Sequence, residues 1–361
     1  MSTLEVVVIG AGQAGLSAAY HLVKAGLCPH EDFVVLDANP GPGGAWRHRL
    51  PSLTFGTAHG IHDLPGLPLG TPDPTEPASS VVARYYGEYE ARFSLPVIRP
   101  ARVSSVVSES DDDDAALLVH TDASAFRTRY LINATGTWDK PFWPWYPGRA
   151  DFRGRQLHTR DFWSASEFTG QHVVVVGGGT SAVQFLLQLN EAGATTTWVT
   201  RREPVFEPRS FDSEWGRDVE RRVRERTSAG LPPKSVVSVT GLPLTPQYQR
   251  GIEDGILVSA GPMTSLTQDG VQLAAGEEVH ADAVLWATGF RASIDHLGPL
   301  HLREHGGGIR TEGVRVDADP RVFLVGYGSS ASTLGATRAG RTAARGVVRA
   351  LKAAKQRELV H

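Results

Sequence analysis

The sequence predicts an α/β fold of two Rossmann-like domains, the second inserted into the first, on three observations. A short β-branched run leads through glycines into an amphipathic helix pattern twice, at Glu5–Gly26 and again at His172–Gly193. Each unit is completed by a further apolar run, FVVLD at Phe33–Asp37 and TWVT at Thr197–Thr200. Strand-like runs, ADAVLWATGF and RVFLVGYG, then return after the second unit. Repeated β-α-β units of this kind build parallel sheets with helices on their faces. A chain of 361 residues suits two domains with sizeable cores. We place the first at 1–150 plus 287–361 and the inserted one at 151–286.

Along the chain, the first turn is Gly10-Ala11-Gly12-Gln13-Ala14-Gly15, which follows a buried strand, opens a helix closed by Gly26, and has Asp37 at the end of the next strand. That context makes GxGxxG a dinucleotide-binding turn. Gly10 permits the tight turn and Gly12 lets the backbone reach a pyrophosphate at the helix N-terminus. Gly15 allows close helix–strand packing, and Asp37 binds a ribose hydroxyl. A Pro- and Gly-rich stretch from Asn39 to Pro77 follows, then a helix pattern near Val81 to Phe93 and alternating strands near Val103 to Ile132. The run Asp111 to Asp114 reads as a solvated hairpin tip between strands rather than a metal site.

The second turn is Gly177-Gly178-Gly179-Thr180-Ser181-Ala182, with alanine in place of the third glycine. Aligning VVLD with TWVT puts Thr200 where the ribose carboxylate would be, followed by Arg201 and Arg202. A missing acid beside two guanidiniums suits a 2′-phosphate and therefore NADPH. The other reading is a solvated arginine pair, with Glu203 as an ion-pair partner. From Ser210 to Ala260 the chain turns polar, with an arginine-rich helix pattern at Asp218 to Arg226 and Pro232-Pro233, and reads as an insertion bordering a cleft. A long helix is predicted from about Ser332 onward.

Net charge is −3 and the cations are scattered, so no basic face points to nucleic acid or a membrane; a small-molecule partner is expected. The N-terminus runs straight into a strand without a leader pattern, which suggests a cytoplasmic protein, and a homodimer is possible. Cys28 is the single cysteine, so an intrachain disulfide, a CxxC redox pair and a cysteine-rich zinc site are excluded, and Cys28 itself reads as a packed or incidental thiol at the helix end rather than a reactive one.

Each glycine-turn unit is followed by an ATG, Asn133-Ala134-Thr135-Gly136 and Trp286-Ala287-Thr288-Gly289-Phe290. Between the two turns lies Phe152-Arg153-Gly154-Arg155-Gln156-Leu157-His158-Thr159-Arg160-Asp161-Phe162-Trp163. With these residues the chain resembles, over essentially its whole length, the flavin-containing monooxygenases in their short bacterial form, whose fingerprint is FxGxxxHxxx followed by an aromatic. Gly43-Gly44-Ala45-Trp46 resembles that family's GGxW segment beside the flavin. The resemblance implies FAD on the first turn with Gly10, Gly12, Gln13, Gly15, Asp37, Gly44, Trp46, Gly136 and Gly326. It implies NADPH on the second with Gly177, Gly179, Thr180, Ser181, Arg201 and Arg202, and the second ATG, Thr288-Gly289, at the crossing between domains.

The implied chemistry is reduction of FAD by NADPH, reaction with dioxygen to a 4a-hydroperoxyflavin, and transfer of one oxygen atom to a small-molecule sulfide, amine or ketone, by sulfoxidation, N-oxidation or Baeyer-Villiger insertion. The cofactor carries the difficult step and the protein binds, orients and excludes water. No nucleophile elbow, HExxH or defensible carboxylate pair is present, and none is needed. The fingerprint implies a structural role for His158. Two departures stand out. An asparagine common in the family, a few residues after a serine matching Ser52, is here Gly56, with Thr54, Thr57 and His59 nearby as candidate replacements. An acidic residue after the C-terminal strand is replaced by Gly326-Tyr327-Gly328-Ser329, whose backbone amides are left to face the flavin. Trp138, Trp143 and Trp145 either wall a pocket or pack the linker. The alternatives to a monooxygenase are a flavin-dependent reductase that transfers no oxygen and a non-catalytic dinucleotide sensor.

Overall fold

The computed structural model describes residues 2–58, 60–110, 112, 115–208, 221, 225–233, 241–331 and 333–358. Two compact units divide the chain, the first being Met1–Thr137, Glu220–Lys234 and Ala292–His361, the second Trp138–Val219 and Ser235–Arg291. No described helix is long and apolar enough to cross a membrane.

In the first unit, β1 (Thr3–Ile9), α1 (Gln13–Lys24) and β2 (Phe33–Leu36) form the first β-α-β motif. They are followed by α2 (Ala78–Arg92), β3 (Val97–Ile98), β4 (Val103–Ser108), β5 (Leu117–Thr121) and β6 (Ala125–Asn133). Helix α2 starts three residues before the apolar pattern shows it, because Pro77 sets the entry while Ala78-Ser79-Ser80 carry little hydrophobic signal. In the second unit, β7 (Arg155–His158), β8 (His172–Val176), α3 (Thr180–Glu191) and β9 (Thr195–Val199) repeat the motif. Strands β10 (Phe206–Glu207) and β11 (Leu242–Pro243), helix α4 (Pro246–Glu253), and strands β12 (Met263–Leu266), β13 (Gly270–Leu273), β14 (Glu278–His280) and β15 (Ala283–Trp286) complete it. The chain returns to the first unit with β16 (Thr311–Glu312), β17 (Arg315–Val316), β18 (Val322–Leu324) and α5 (Thr333–Glu358). Ser332, where the last helix was expected to begin, lies outside the described residues, as do Asp111, Asp113 and Asp114 of the acidic run.

The first sheet has the order β16-β17-β18-β6-β1-β2-β3, with the β4–β5 hairpin joined through β5 to β6. Strands β18, β6, β1, β2 and β3 run parallel. Alternation decides which face each side chain serves. Val6, Val8, Phe33, Val35 and Ile132 pack under α1, α2 and α5, while Val7, Ile9, Val34, Leu36 and Leu131 pack on the opposite layer. Both faces being covered, the strands read as unbroken apolar runs rather than alternating ones. Helices α1 and α5 sit close enough that a Cβ on Gly340 would lie 2.3 Å from the Ala14 carbonyl oxygen.

The second sheet is fully parallel in the order β7-β15-β8-β9, with the antiparallel β12–β13–β14 sheet beside it in the same unit. The polar stretch from Ser210 to Ala260 is not one insertion. Residues 225–233 belong to the first unit, where Thr227 is buried and the Gly230 carbonyl accepts from the Gly308 amide at 3.1 Å. Residues 241–260 belong to the second, where the Ala260 amide donates to the Trp198 carbonyl at 2.8 Å. Of the expected arginine-rich helix, residues 218–220 and 222–224 lie outside the described residues, and Arg221, Glu225 and Arg226 are helical.

Candidate functional site

Strand register brings the motif loops of each unit to one sheet edge. In the first unit Ile9 is level with Leu36 and Asn133, and Leu324 with Asn133, so the segments beginning at Gly10, Asp37, Ala134 and Val325 leave the same carboxyl edge. The chain leaves β1 toward β2 on one side while β6 lies on the other, which is the switch point where open α/β sheets bind ligands. In the second unit Val176 is level with Val199 and Trp286, and Trp286 with His158, giving the same arrangement between β8 and β15.

The glycines of the first turn have separate causes. Gly10 has φ +102, and a Cβ there would lie 2.5 Å from the Ala134 carbonyl oxygen; a Cβ on Gly15 would lie 1.8 Å from the Gly10 carbonyl oxygen. Both are required by the fold. Gly12 is different, since its φ of −83 and ψ of −172 suit any residue and a Cβ would meet nothing nearer than the Gly44 Cα at 4.0 Å. The bare backbone therefore faces open space, as close approach by a phosphate requires. Gly12 is also the N-cap of α1 and has no side chain to cap it, so the positive end of the helix faces that space. Gly44 packs against the turn, its Cβ position being 2.8 Å from the Gly12 Cα, and Trp46 packs against the core on the short turn that follows. The Gln13 side-chain amide donates to the Thr337 hydroxyl at 2.9 Å, tying α1 to α5.

The second turn repeats this architecture. A Cβ on Gly177 would lie 2.2 Å from the Ala287 carbonyl oxygen, as Gly10 does against Ala134, so each ATG alanine backs the first glycine of its own unit. A Cβ on Gly178 or Gly179 would meet nothing within 4 Å, and Gly179 is the uncapped N-cap of α3, ahead of Thr180 and exposed Ser181. Ala182 is fully buried, which explains why alanine serves in the third position. Thr200 stands where Asp37 stands in the first unit, but it is buried and its hydroxyl lies 2.6 Å from that of Ser259. Arg201, Arg202 and Glu203 are exposed, and among the described residues Glu203 pairs with neither arginine.

His158 is fully buried in the second unit. Its Nδ1 accepts from the Arg160 amide at 3.2 Å, which leaves Nε2–H to donate to the Gly289 carbonyl at 3.0 Å. The ring meets Phe290 edge-on at 4.9 Å, and burial pushes its pKa below the usual histidine value. Both ring nitrogens thus hold backbone, and the fingerprint histidine fastens the second ATG loop. On the same loop the Thr288 hydroxyl donates to the Phe142 carbonyl. Trp138 stacks on Phe290 at 5.2 Å and Trp143 lies 5.8 Å from His158, whereas Trp145 is 80% exposed. Packing thus accounts for two of the three tryptophans.

The Thr57 hydroxyl donates to the Thr54 carbonyl at 3.2 Å and so accepts from the Thr54 hydroxyl at 3.0 Å. His59 lies outside the described residues. Gly56 donates its amide to the Pro74 carbonyl, and a Cβ there would come within 3.0 Å of Pro74, so the loop is closed around a residue without a side chain.

Two pairings escaped the sequence. Asp37 is buried, with Oδ2 accepting from Arg99 Nε at 3.1 Å and Oδ1 from the Asn39 amide nitrogen at 3.1 Å, while Glu90 holds the same guanidinium at 2.6 and 2.8 Å. Arg99 thereby fixes the carboxylate expected at the ribose. His296, on the short turn Asp295–Leu300, lies with Nε2 at 2.7 Å from the Asn133 side-chain oxygen. The only local signal for either was a single arginine or histidine in an otherwise ordinary loop.

Burial pushes His296 down to about 4 from the ordinary 6.5. The folded state favours the neutral ring, so its contribution is fully present above the unfolded value and is lost as pH falls from 6.5 toward 4. The expected size is about 3 kcal/mol. Urea unfolding of wild type and His296→Asn at neutral pH and near pH 4.5 checks it, with a shallower acid loss of stability expected in the variant.

Residues 7–234 match the pyridine nucleotide-disulphide oxidoreductase family. The structure resembles the flavin-containing monooxygenase of Stenotrophomonas maltophilia, with a TM-score of 0.80 and 34% identity, covering 97% of this chain and 100% of that one. Similarity at 29% identity to an uncharacterized oxidoreductase, CzcO of Bacillus velezensis, spans 56% of this chain and 56% of that protein, little more than half of each. Indole-3-pyruvate monooxygenase YUCCA1 of Oryza sativa subsp. japonica is 28% identical over 342 residues, 85% of this chain and 81% of that one.

Proposed function

The chain belongs to the pyridine nucleotide-disulphide oxidoreductase family and, within it, to the flavin-containing monooxygenases, and from that premise we propose that it is an FAD-dependent, NADPH-using monooxygenase acting on a small-molecule sulfide, amine or ketone. The carrying observation is that two helix N-termini without a side-chain cap each begin at a glycine, Gly12 and Gly179, where an added Cβ would meet no described atom nearer than 4.0 Å. The first unit is proposed to hold FAD and the second NADPH.

When bound, FAD supplies the redox and oxygen chemistry, taking hydride from NADPH and delivering one atom of dioxygen to the substrate. The residues of this chain bind and orient. The Gly12 backbone and the first-turn amides of α1 take the FAD pyrophosphate, and Asp37, held by Arg99, accepts a ribose hydroxyl. Gly44, Trp46, Gly136 and Gly326 line the same loop cluster. In the second unit Gly177, Gly179, Thr180 and Ser181 take the NADPH pyrophosphate, and Arg201 and Arg202 the 2′-phosphate. Thr288-Gly289, fastened by His158, closes the loop beside it. Neither Thr54 nor Thr57 is assigned a chemical step. The reading is tested by releasing the flavin from purified protein, identifying it by mass, and adding NADPH without oxygen. FAD and loss of the visible flavin absorbance are expected; protein without flavin, or flavin that NADPH leaves oxidised, would overturn it.

A further inference from the structure

Four polar groups in the first unit, none of them in the Gly10–Gly15 turn, form a continuous chain onto the loop after β6. His296 Nε2 lies 2.7 Å from Asn133 Oδ1, and Asn133 Nδ2 donates to the Thr135 hydroxyl at 3.0 Å. That hydroxyl donates to the Ser293 carbonyl at 2.5 Å, and the Ser293 amide returns a bond to the Gly136 carbonyl at 2.9 Å. Asn133 is 2% exposed, so its amide must be satisfied inside the protein. With Nδ2 committed as a donor to Thr135, Oδ1 needs a donor, and the ring N–H of His296 supplies it. Burial pushes the pKa of that ring down to about 4, and Nε2–H is a donor in the neutral ring as in the charged one.

The chain ends where it matters for the glycine turn. Ala134 immediately follows Asn133; its amide donates to the Ile9 carbonyl at 2.7 Å and its carbonyl backs Gly10. On the other side of Asn133 the carbonyl accepts from the Val325 amide at 2.9 Å, just before Gly326, whose Cβ position would lie 3.6 Å from the Gly136 Cα. One asparagine therefore sits at the junction of the three loops that start at Gly10, Ala134 and Val325. Its side chain is held from a residue 163 positions away in the sequence.

We infer that His296 is a positioning residue for the flavin, acting through Asn133 to hold the Gly10–Gly12 turn and the Gly136 turn in the geometry that retains FAD. This rests on the proposal that the first unit holds FAD. His296 itself touches no cofactor and moves no proton. Without its N–H the Asn133 oxygen is a buried acceptor lacking a donor, which is relieved by rotating the amide and releasing Thr135.

The test compares His296→Met with His296→Gln, side chains of similar volume of which only glutamine has an N–H to donate. The rate of FAD release from the holoprotein is read from the rise in flavin fluorescence on dilution. Release about tenfold faster or more is expected for His296→Met, with His296→Gln close to wild type. In an Asn133→Ala background, where the asparagine is no longer there to be held, His296→Met is expected to add little further. Equal release from the methionine and glutamine variants, or an acceleration as large with Asn133→Ala as without it, would mean that His296 merely fills space and would overturn the inference. Should the methionine variant fail to fold, the glutamine comparison decides: His296→Gln must release FAD at near the wild-type rate while Asn133→Ala releases it faster, and the reverse order refutes the chain. Wild-type protein that holds no FAD would instead remove the cofactor assignment on which the inference rests.

Discussion

Gly12→Val is expected to give a folded protein that carries no flavin. The Cβ position at Gly12 is open and the backbone there is extended, so the fold has room for the side chain and the cost at an N-cap is about 1 kcal/mol. The pyrophosphate has no such room, because its binding needs the bare backbone within hydrogen-bond reach. FAD affinity should fall by about two orders of magnitude or more, equivalent to about 3 kcal/mol. Gly15→Ala makes the contrast. Its Cβ would lie 1.8 Å from the Gly10 carbonyl oxygen, and overpacking of this kind costs about 1–3 kcal/mol of stability. The ratio of flavin to protein absorbance, with the thermal midpoint of each variant measured beside it, separates the two causes. A yellow, fully loaded Gly12→Val would show that the pyrophosphate lies elsewhere.

The second large effect concerns the choice between NADPH and NADH. Arg201 and Arg202 follow β9 on the surface, and the buried Thr200 before them is hydrogen-bonded to Ser259, so no carboxylate stands at the position that Asp37 holds in the first unit. Replacing both arginines with glutamine should raise the KM for NADPH by about ten- to a hundredfold, from a loss of about 1–3 kcal/mol in charged hydrogen bonds, and leave that for NADH nearly unchanged. Steady-state nucleotide oxidation with each cofactor checks it. An unchanged preference would mean that the pair is only a solvated face after a strand.

Both experiments address residues that a reader of the sequence alone would select, and the reason is physical. A glycine turn is local: strand, turn and helix lie within a few residues, so spacing carries the geometry, and the two β-α-β units and their ATG partners are written in it. Asp37 was legible for the same reason. Arg99 and His296 were not, since the first reaches its carboxylate across 62 positions and the second its asparagine across 163, and no periodicity links residues so far apart. The polar stretch after Ser210 failed for a related reason. Lacking an apolar repeat, it gave no sign that Thr227 is buried in one unit while Tyr248 is buried in the other. Gly56 shows a third limit: resemblance marks an absent asparagine there, but only the closeness of Pro74 shows that the loop has closed over the gap.

The measurement that tests the proposed activity most directly is the fate of dioxygen. Purified protein is given NADPH, a simple alkyl aryl sulfide and dioxygen enriched in the heavy isotope, and the sulfoxide is examined by mass spectrometry. One heavy oxygen atom per sulfoxide, formed in proportion to the NADPH consumed, is the predicted result. NADPH consumption with hydrogen peroxide as the only oxygen product, for this sulfide and for amine and ketone substrates alike, would contradict it and leave a flavin reductase in its place.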